Sequence, residues 1–203
     1  MDTITLSQND KAVKGEINLA GWSFKPGEVT PSELLVLTAI GAFANAKGEC
    51  WPKVSTIARM AHLEVRAVQY NLANLCKKKI IAVLKDKHKR GPNFYRILWD
   101  RCAKAKKLKA IKKILLVDAD LKRSDILVLL YFLDLSLTTG NNYYPVRQCK
   151  ITAGTGLSGE TVGSSINYLT MAMLIDFEFK KKGLPFIYVA AGKFKEIVDA
   201  ALS

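Results

Sequence analysis

The sequence predicts a mainly helical α+β protein in which two copies of one small domain are joined by a basic helix. Three observations support this prediction. The chain has 203 residues, of which 49% are hydrophobic, and this suffices for a buried core without disulfides or a metal. Its apolar positions repeat at an offset of 93 to 94 residues. Each copy contains helical segments followed by a pair of short strand-like segments.

The two copies share landmarks that occur in the same order. Trp51-Pro52 aligns with Tyr144-Pro145, and Phe94-Tyr95 aligns with Ile187-Tyr188. Apolar residues between the landmarks also align: Ile57 with Ile151, Leu63 with Leu157, Val68 with Val162 and Leu75 with Leu169. Single apolar matches arise easily by chance in so hydrophobic a chain, whereas ordered landmarks do not. A period of this length indicates two domains of one type.

The repeat and the charge pattern divide the chain into four segments. We predict an N-terminal arm at residues 1–29, a first domain at 30–100, a connecting helix at 101–119 and a second domain at 120–203. The net charge of +13 lies mostly outside the last segment, which holds nine basic and eight acidic residues. Such an excess favours a polyanionic partner, either nucleic acid or an anionic membrane surface.

The first helix of the first domain is predicted to begin at Thr30. Thr30 is a favourable N-cap, Pro31 suits the first helical position, and Glu33 lies three residues after the cap, as in a capping box. An apolar stripe with helical period follows. We expect the helix to stop at Asn45-Ala46-Lys47-Gly48.

A three-residue turn, His62-Leu63-Glu64, separates the next two helices, predicted at Val54 to Met60 and at Val65 to Lys78. The expected buried face of the third helix holds Val65, Val68, Leu72 and Leu75. Its outward face holds Arg66, Gln69, Tyr70 and Lys77. Cationic, amide and phenol groups on one helix face can contact base edges and phosphates.

A β-hairpin is predicted to complete the first domain. Its strands are Ile80 to Leu84 and Phe94 to Leu98, and its tip carries Lys87, Lys89 and Arg90. Three helices followed by such a hairpin form a winged helix. The predicted architecture is therefore two tandem winged helix-turn-helix domains.

One set of residues runs through the first domain: Glu49-Cys50-Trp51-Pro52, Ile57-Ala58, Leu63, Val68-Gln69 and Leu72-x-x-Leu75. These residues resemble the helix-turn-helix domains of phage and plasmid replication proteins and related bacterial regulators, over residues 30–99. The resemblance implies groove contacts by Arg66, Gln69 and Tyr70, and wing contacts by Lys87, Lys89 and Arg90. This chain departs from the family pattern at the turn, where Glu64 replaces the usual serine N-cap.

The connecting segment has seven basic residues and one acidic residue, and its apolar residues Leu108, Ile111 and Leu115 are spaced for one helix face. We expect this helix to contact DNA phosphates through Lys106, Lys109 and Lys113. The alternative is a solvated spacer without a partner.

The second domain keeps the apolar pattern and changes the outward face. A long helix is predicted from Asp120 to Thr138, followed later by a turn with Ser158 as N-cap and by a closing helix that starts near Gly192. Glu160, Ser164 and Asn167 occupy the positions of Arg66, Tyr70 and Ala73. Lys181 lies in a basic wing tip and is a candidate DNA contact. Two roles stay open for this domain, DNA contact and dimerisation or partner docking.

Several patterns that resemble other sites are better explained by structure. Residues 154–159 match the dinucleotide motif GxGxxG, and residues 154–161 match all but one position of the phosphate-loop motif GxxxxGK[ST]. No strand is predicted before them, and Glu160 stands where the phosphate loop needs lysine. We expect Trp51, Tyr143 and Tyr144 to fill the core rather than stack on bases. No catalytic set or metal-ligand spacing was found, so we predict no enzyme, no cofactor and no metal.

The predicted function is sequence-specific binding of double-stranded DNA, by a replication initiator or origin-binding protein of a phage or plasmid. The alternatives are a transcriptional repressor and a protein-interaction module with non-specific nucleic-acid binding. Expected partners are double-stranded DNA, a second copy as homodimer, and replication or transcription proteins, with no membrane. Widely spaced cysteines and the lack of an export signal predict a bacterial cytoplasmic protein associated with the nucleoid or a plasmid.

Overall fold

The computed structural model describes residues 17–19, 22–25, 27–45, 47–84, 93–98, 106–116, 120–178 and 186–202. The chain is mainly helical with short antiparallel strands, as the predicted α+β class requires. Within the described part, no helix is long and apolar enough to cross a membrane.

The helices of this part are α1 (Pro31–Gly41), α2 (Val54–Ala61), α3 (Val65–Lys77), α4 (Lys106–Ile114), α5 (Arg123–Thr139), α6 (Gln148–Thr155), α7 (Gly159–Met171) and α8 (Gly192–Leu202). The strands are β1 (Ile17–Leu19), β2 (Trp22–Phe24), β3 (Glu49–Cys50), β4 (Ile81–Leu84), β5 (Phe94–Ile97), β6 (Tyr143–Val146), β7 (Ile175–Glu178) and β8 (Phe186–Ala190).

The same order of elements occurs twice. The first half runs α1, β3, α2, α3, β4 and β5, and the second runs α5, β6, α6, α7, β7 and β8. Each half has a three-stranded antiparallel sheet with the last strand in the middle, in the orders β3-β5-β4 and β6-β8-β7. The strands β3 and β6 were not anticipated from sequence, because two to four residues carry little periodic signal.

Strand register corrects the alignment of the aromatic-proline landmarks by one residue. Cys50 pairs with Tyr95, and Tyr144 pairs with Tyr188. Because the two central tyrosines correspond, Cys50 is the equivalent of Tyr144, and Trp51 is the equivalent of Pro145. The predicted match of Trp51-Pro52 with Tyr144-Pro145 is therefore wrong.

The start of α1 is as predicted and its end is not. The Thr30 side chain accepts a hydrogen bond from the Glu33 N–H, and the Glu33 carboxylate accepts one from the Thr30 N–H, which completes the capping box. The helix ends at Gly41, well before the predicted stop. Asn45 Oδ1 accepts hydrogen bonds from the N–H groups of Lys47 and Glu49, and this side-chain turn directs the chain into β3.

Helix α3 packs its apolar side against α1 and α2, with Val68, Leu72 and Leu75 buried. The prediction that Val65 is buried is wrong: it begins the helix beside the turn and is 41% exposed. Asn71 is buried instead, and its amide donates to the Ala67 carbonyl at 2.7 Å. This bond satisfies a polar group inside the domain.

The basic connector is part of the shared core. Its described helix, α4, buries Ala110, Ile111 and Ile114 and packs against α8, α5 and α1. Leu115, just after the helix, is also buried. The hairpin β1–β2 lies in the predicted arm, yet β1 packs against α6 and α5 of the second half. Both segments therefore connect the two halves.

The second half differs from prediction at its first helix. Helix α5 begins at Arg123, three residues after the predicted start at Asp120, and the Asp125 carboxylate accepts the Lys122 N–H at 2.9 Å. Two other predicted features are confirmed. Ser158 caps α7 by accepting the Thr161 N–H, and α8 buries Phe194, Ile197 and Val198.

Candidate nucleic-acid interface

The turn between α2 and α3 is a defined structure held by backbone and side-chain contacts. His62 adopts the left-handed conformation with φ of 50°, which is uncommon for a residue other than glycine, and it ends α2. Its Nε2 lies 3.4 Å from the Leu115 carbonyl oxygen, which links the turn to the end of the connector. Glu64 stands at the N-cap of α3 without a capping side-chain bond. The first N–H groups of α3 therefore donate no hydrogen bond to its carboxylate.

The outward face of α3 carries all four predicted contact residues on this helix. Arg66, Gln69, Tyr70 and Lys77 are exposed, and Tyr70 keeps 69% of its surface open to solvent. From Arg66 to Lys77 the helix advances about 16 Å at 1.5 Å per residue. This length, with a guanidinium, an amide, a phenol and an ammonium group along it, suits insertion into a major groove.

Positive charge is concentrated around this helix. Residues 47–79 hold seven basic and two acidic residues, whereas the equivalent residues 141–173 hold two basic and one acidic residue. Lys53 and Arg59, which precede α3 along the chain, are exposed. One cation is engaged elsewhere: Lys78 Nζ lies 2.6 Å from the Glu33 carboxylate. The remaining cations attract phosphates to the first half more strongly than to the second.

Four other predicted contacts belong to segments that the structure does not describe. Lys87, Lys89 and Arg90 lie between β4 and β5, outside the described residues, as does Lys181 between β7 and β8. The strands that flank each segment pair as a hairpin, in agreement with the prediction.

The two cations of the connector whose side chains are described are both exposed. Lys113 is exposed, and the Lys112 Nζ lies 4.9 Å from the ring centre of Phe43 in a cation–π contact. Lys106 and Lys109 belong to α4, and their side chains lie outside the described residues. Of the three predicted phosphate contacts on this helix, the structure thus shows the exposure of Lys113.

The outward face of α7 has a different character. Glu160, Ser164 and Asn167 are exposed as predicted, and Met171 and Met173 expose 82% and 77% of their surfaces. At the fixed offset of 94 residues, these two methionines correspond to Lys77 and Lys79 of the first half. Aligning the two halves of the sequence shows that thioethers replace ammonium groups at these positions. The sequence analysis did not predict this difference.

The glycine-rich segment at residues 154–159 has a packing role. It begins in the last turn of α6 and continues to the first residue of α7, and no strand leads into it. A Cβ atom on Gly154 would overlap the Tyr131 ring of α5. Gly156 ends α6 with φ of 70°, a left-handed conformation that glycine adopts without strain. Both glycines are therefore explained without a bound phosphate.

Trp51 is the clearest functional candidate that the sequence analysis misjudged. It was expected in the core, but it is 54% exposed and packs against Phe94, with 5.2 Å between ring centres. The neighbouring Cys50 fills the inner position instead. Because a strand of two residues carries little periodic signal, the sequence offered no indication of the outward position of Trp51. The side chains of Tyr143 and Tyr144 lie outside the described residues.

Comparison with known proteins supports a helix-turn-helix domain in the first half. Residues 28–81 match a family model described as a helix-turn-helix domain, and these residues include α1, α2 and α3. This match indicates DNA binding. No curated protein matches the chain. The crystal structure of ScpB from Mycobacterium tuberculosis aligns with a TM-score of 0.27 and 16% identity over 83% of this chain and 96% of that chain, too low a similarity to carry an argument.

Proposed function

We propose that this protein binds double-stranded DNA sequence-specifically and inserts α3 into the major groove. The observation that carries this proposal is the exposed row Arg66, Gln69, Tyr70 and Lys77 on the helix after the turn, within the matched helix-turn-helix segment. Their donors and acceptors suit base edges at one end and phosphates at the other. Cations around α3 supply sequence-independent attraction.

In this proposal the chain consists of two winged helix-turn-helix domains in tandem. The identical order of elements and of strands in the two halves supports this interpretation. The first domain supplies most of the DNA affinity, because its helix-turn-helix region has seven basic residues where the second has two. Lys113 on the exposed side of α4 adds a phosphate contact. The protein acts without catalysis.

The cellular role proposed is initiation of replication at the origin of a phage or plasmid. Its support is the resemblance of the first domain to replication proteins. A transcriptional repressor would use the same groove contacts, so DNA binding alone does not separate the two. A plasmid that carries the selected site and lacks an initiator should be maintained only when this protein is supplied. Silencing of a reporter without plasmid maintenance would instead assign a repressor.

The test of groove reading compares Arg66→Ala with the unchanged protein. A duplex site is first selected from a random library and then used at fixed salt. We expect Arg66→Ala to lower affinity for the selected site by about 1–3 kcal/mol and to affect random duplex much less, because a lost base contact matters only at the cognate base.

The matched control is Arg147→Ala, which removes an exposed cation at the start of α6 in the second half and should leave both affinities nearly unchanged. Equal losses on selected and random duplex would show that Arg66 contacts phosphate only. Failure of the library to yield any preferred site would overturn sequence-specific binding.

A further inference from the structure

The outer face of the first sheet carries an exposed aromatic cluster. Trp51 follows β3 directly, and its ring lies against the ring of Phe94 in β5 at an interplanar angle of 56°. Leu84 of β4 is opposite Phe94 in the register and is 51% exposed. The three side chains form an apolar surface on strands whose other face packs into the core.

The core of this half is complete without these side chains. Three side chains point inward from β3 and β5, and each exposes at most 1% of its surface: Cys50, Tyr95 and Ile97. Because alternate strand residues face opposite sides, Phe94 and Arg96 face outward. Trp51 leaves half its surface in water beside the exposed Leu84, and adjacent exposed apolar side chains are typical of binding surfaces.

A fixed cation lies beside the aromatic pair. The Arg96 guanidinium carbon is 5.7 Å from the ring centre of Phe94, and its Nη2 is 2.8 Å from the Glu49 carboxylate. The Arg96 side chain is half exposed, so the ion pair orients the planar group and leaves part of it open. Lys47 and Lys53 precede and follow β3 and are exposed. Positive charge thus exceeds negative charge on this edge.

The second half shows that the fold does not require this cluster. In the equivalent sheet, Phe94 corresponds to Ile187, Arg96 to Val189 and Trp51 to Pro145, by the register of the paired strands. Ile187 is 5% exposed. The same three-stranded sheet therefore forms with aliphatic residues and proline where the first half has two aromatic rings and a guanidinium.

We propose that this face binds single-stranded nucleic acid, with an unpaired base stacked on Trp51 and the phosphates near Arg96 and Lys53. Aromatic rings interspersed with cations are the arrangement that binds single strands, because every base has a π face for stacking. In a duplex these faces are covered by neighbouring bases, so the surface selects unpaired strands. The outward face of α3 lies on another element and reads duplex independently.

The positive charge of this face argues against a second copy of this chain as its binding partner. Tryptophan and arginine are also common at the centres of protein interfaces. Self-association through this face, however, would bring the exposed ammonium groups of Lys47 and Lys53 near those of the second copy, while Arg96 and Glu49 neutralise each other. A polyanion meets no such repulsion.

The experiment uses the full chain and a fluorescently labelled oligothymidine of about 20 nucleotides, with binding followed by anisotropy at low salt. Trp51→Ala should lower affinity for the oligonucleotide by about 5- to 150-fold, the loss expected for one stacked base. Affinity for the selected duplex should change less than about twofold, since α3 is untouched. Arg66→Ala should give the opposite pattern. Trp51→Phe should retain part of the single-strand affinity.

Met171→Ala is the matched control, because it removes another highly exposed apolar side chain and should change neither affinity. Circular dichroism verifies that each variant is folded. The proposal is overturned if the unchanged protein does not bind the oligonucleotide, or if Trp51→Ala binds it equally well. It is also overturned if sedimentation shows a dimer that Trp51→Ala dissociates. Single-strand binding and duplex selection are measured separately, so either can fail alone.

Discussion

At the scale of single residues, Glu33 shows how one carboxylate serves both local and tertiary structure. It is 1% exposed and accepts hydrogen bonds from the Thr30 N–H at 2.7 Å and from Lys78 Nζ at 2.6 Å. Burial raises its pKa, but the bonds from Lys78 and Thr30 outweigh this effect and hold the pKa below its ordinary value of 4.5. The same group thus caps α1 and ties it to the end of α3.

Replacing Glu33 with glutamine should destabilise the protein by about 1.5–3 kcal/mol at neutral pH, because a charge-assisted bond to a buried acceptor is lost. Since the folded pKa is lowered, the carboxylate stabilises the fold above its unfolded pKa and stops doing so as pH falls through the folded value. The difference between Glu33→Gln and the unchanged protein should therefore shrink below pH 4.5. Urea unfolding of both proteins at several pH values measures this difference in unfolding free energy.

Asp199→Asn is the control for this prediction, because it breaks an exposed pair with Lys195. Such a pair contributes less than about 0.5 kcal/mol, so its removal should hardly change the midpoint. The prediction is wrong if the two proteins differ in unfolding free energy by the same amount at pH 3 as at neutral pH. The stability lost in Glu33→Gln would then come from the shape of the side chain rather than from its charge.

At the scale of elements, close packing of α6 on α5 requires a glycine at one position of α6. Tyr131 of α5 lies so near Gly154 that no side chain fits between them. The burial of Tyr131 raises the pKa of its phenol to about 12, so its ring remains neutral in this contact at physiological pH. The glycine-rich pattern of this region therefore reflects helix packing.

Gly154→Ala should cost about 1–3 kcal/mol through overpacking against Tyr131. In an unconstrained helix the same change would stabilise, since alanine is the better helix former. Gly159→Ala supplies that comparison, because nothing lies within 4 Å of a Cβ at this position. Thermal unfolding of the two variants gives the measurement. Equal stability of both would mean that Tyr131 moves aside without cost.

At the scale of the whole molecule, the two halves share buried surface through the connector. Ile114 is completely buried where α4 packs against α8, α5 and α1. The β1–β2 hairpin, which is early in the chain, packs against the second half. A protein divided after the connector would expose these apolar faces. The two halves are thus expected to fold as one cooperative unit.

Ile114→Ala tests this expectation, with an expected loss of about 2–5 kcal/mol from the cavity it creates. Tryptophan fluorescence and far-ultraviolet circular dichroism should report one shared transition that moves to lower denaturant concentration. Leu116→Ala removes a side chain that is 52% exposed two residues later and should have little effect. Separate transitions for the two halves would contradict a common core.

Much of the fold could be predicted because its signals are local. The capping box at Thr30, the period of α3, the cap at Ser158 and the hairpin strands each depend on residues a few positions apart. The outward positions of Arg66, Gln69, Tyr70 and Lys77 follow from the same period. Helix ends were less predictable, since Asn45 directs the chain through a side-chain turn that no periodicity reveals.

The sequence by itself determined the main helices, the charge difference between the halves and the exposed face of α3, because these follow from periodicity and composition. Tertiary structure alone decided that Trp51 lies on the surface, that Cys50 aligns with Tyr144, and that α4 joins both halves. Each depends on which residues oppose one another across strands or between distant helices. The physical reason is that register and packing are properties of pairs of segments, and no single segment encodes them.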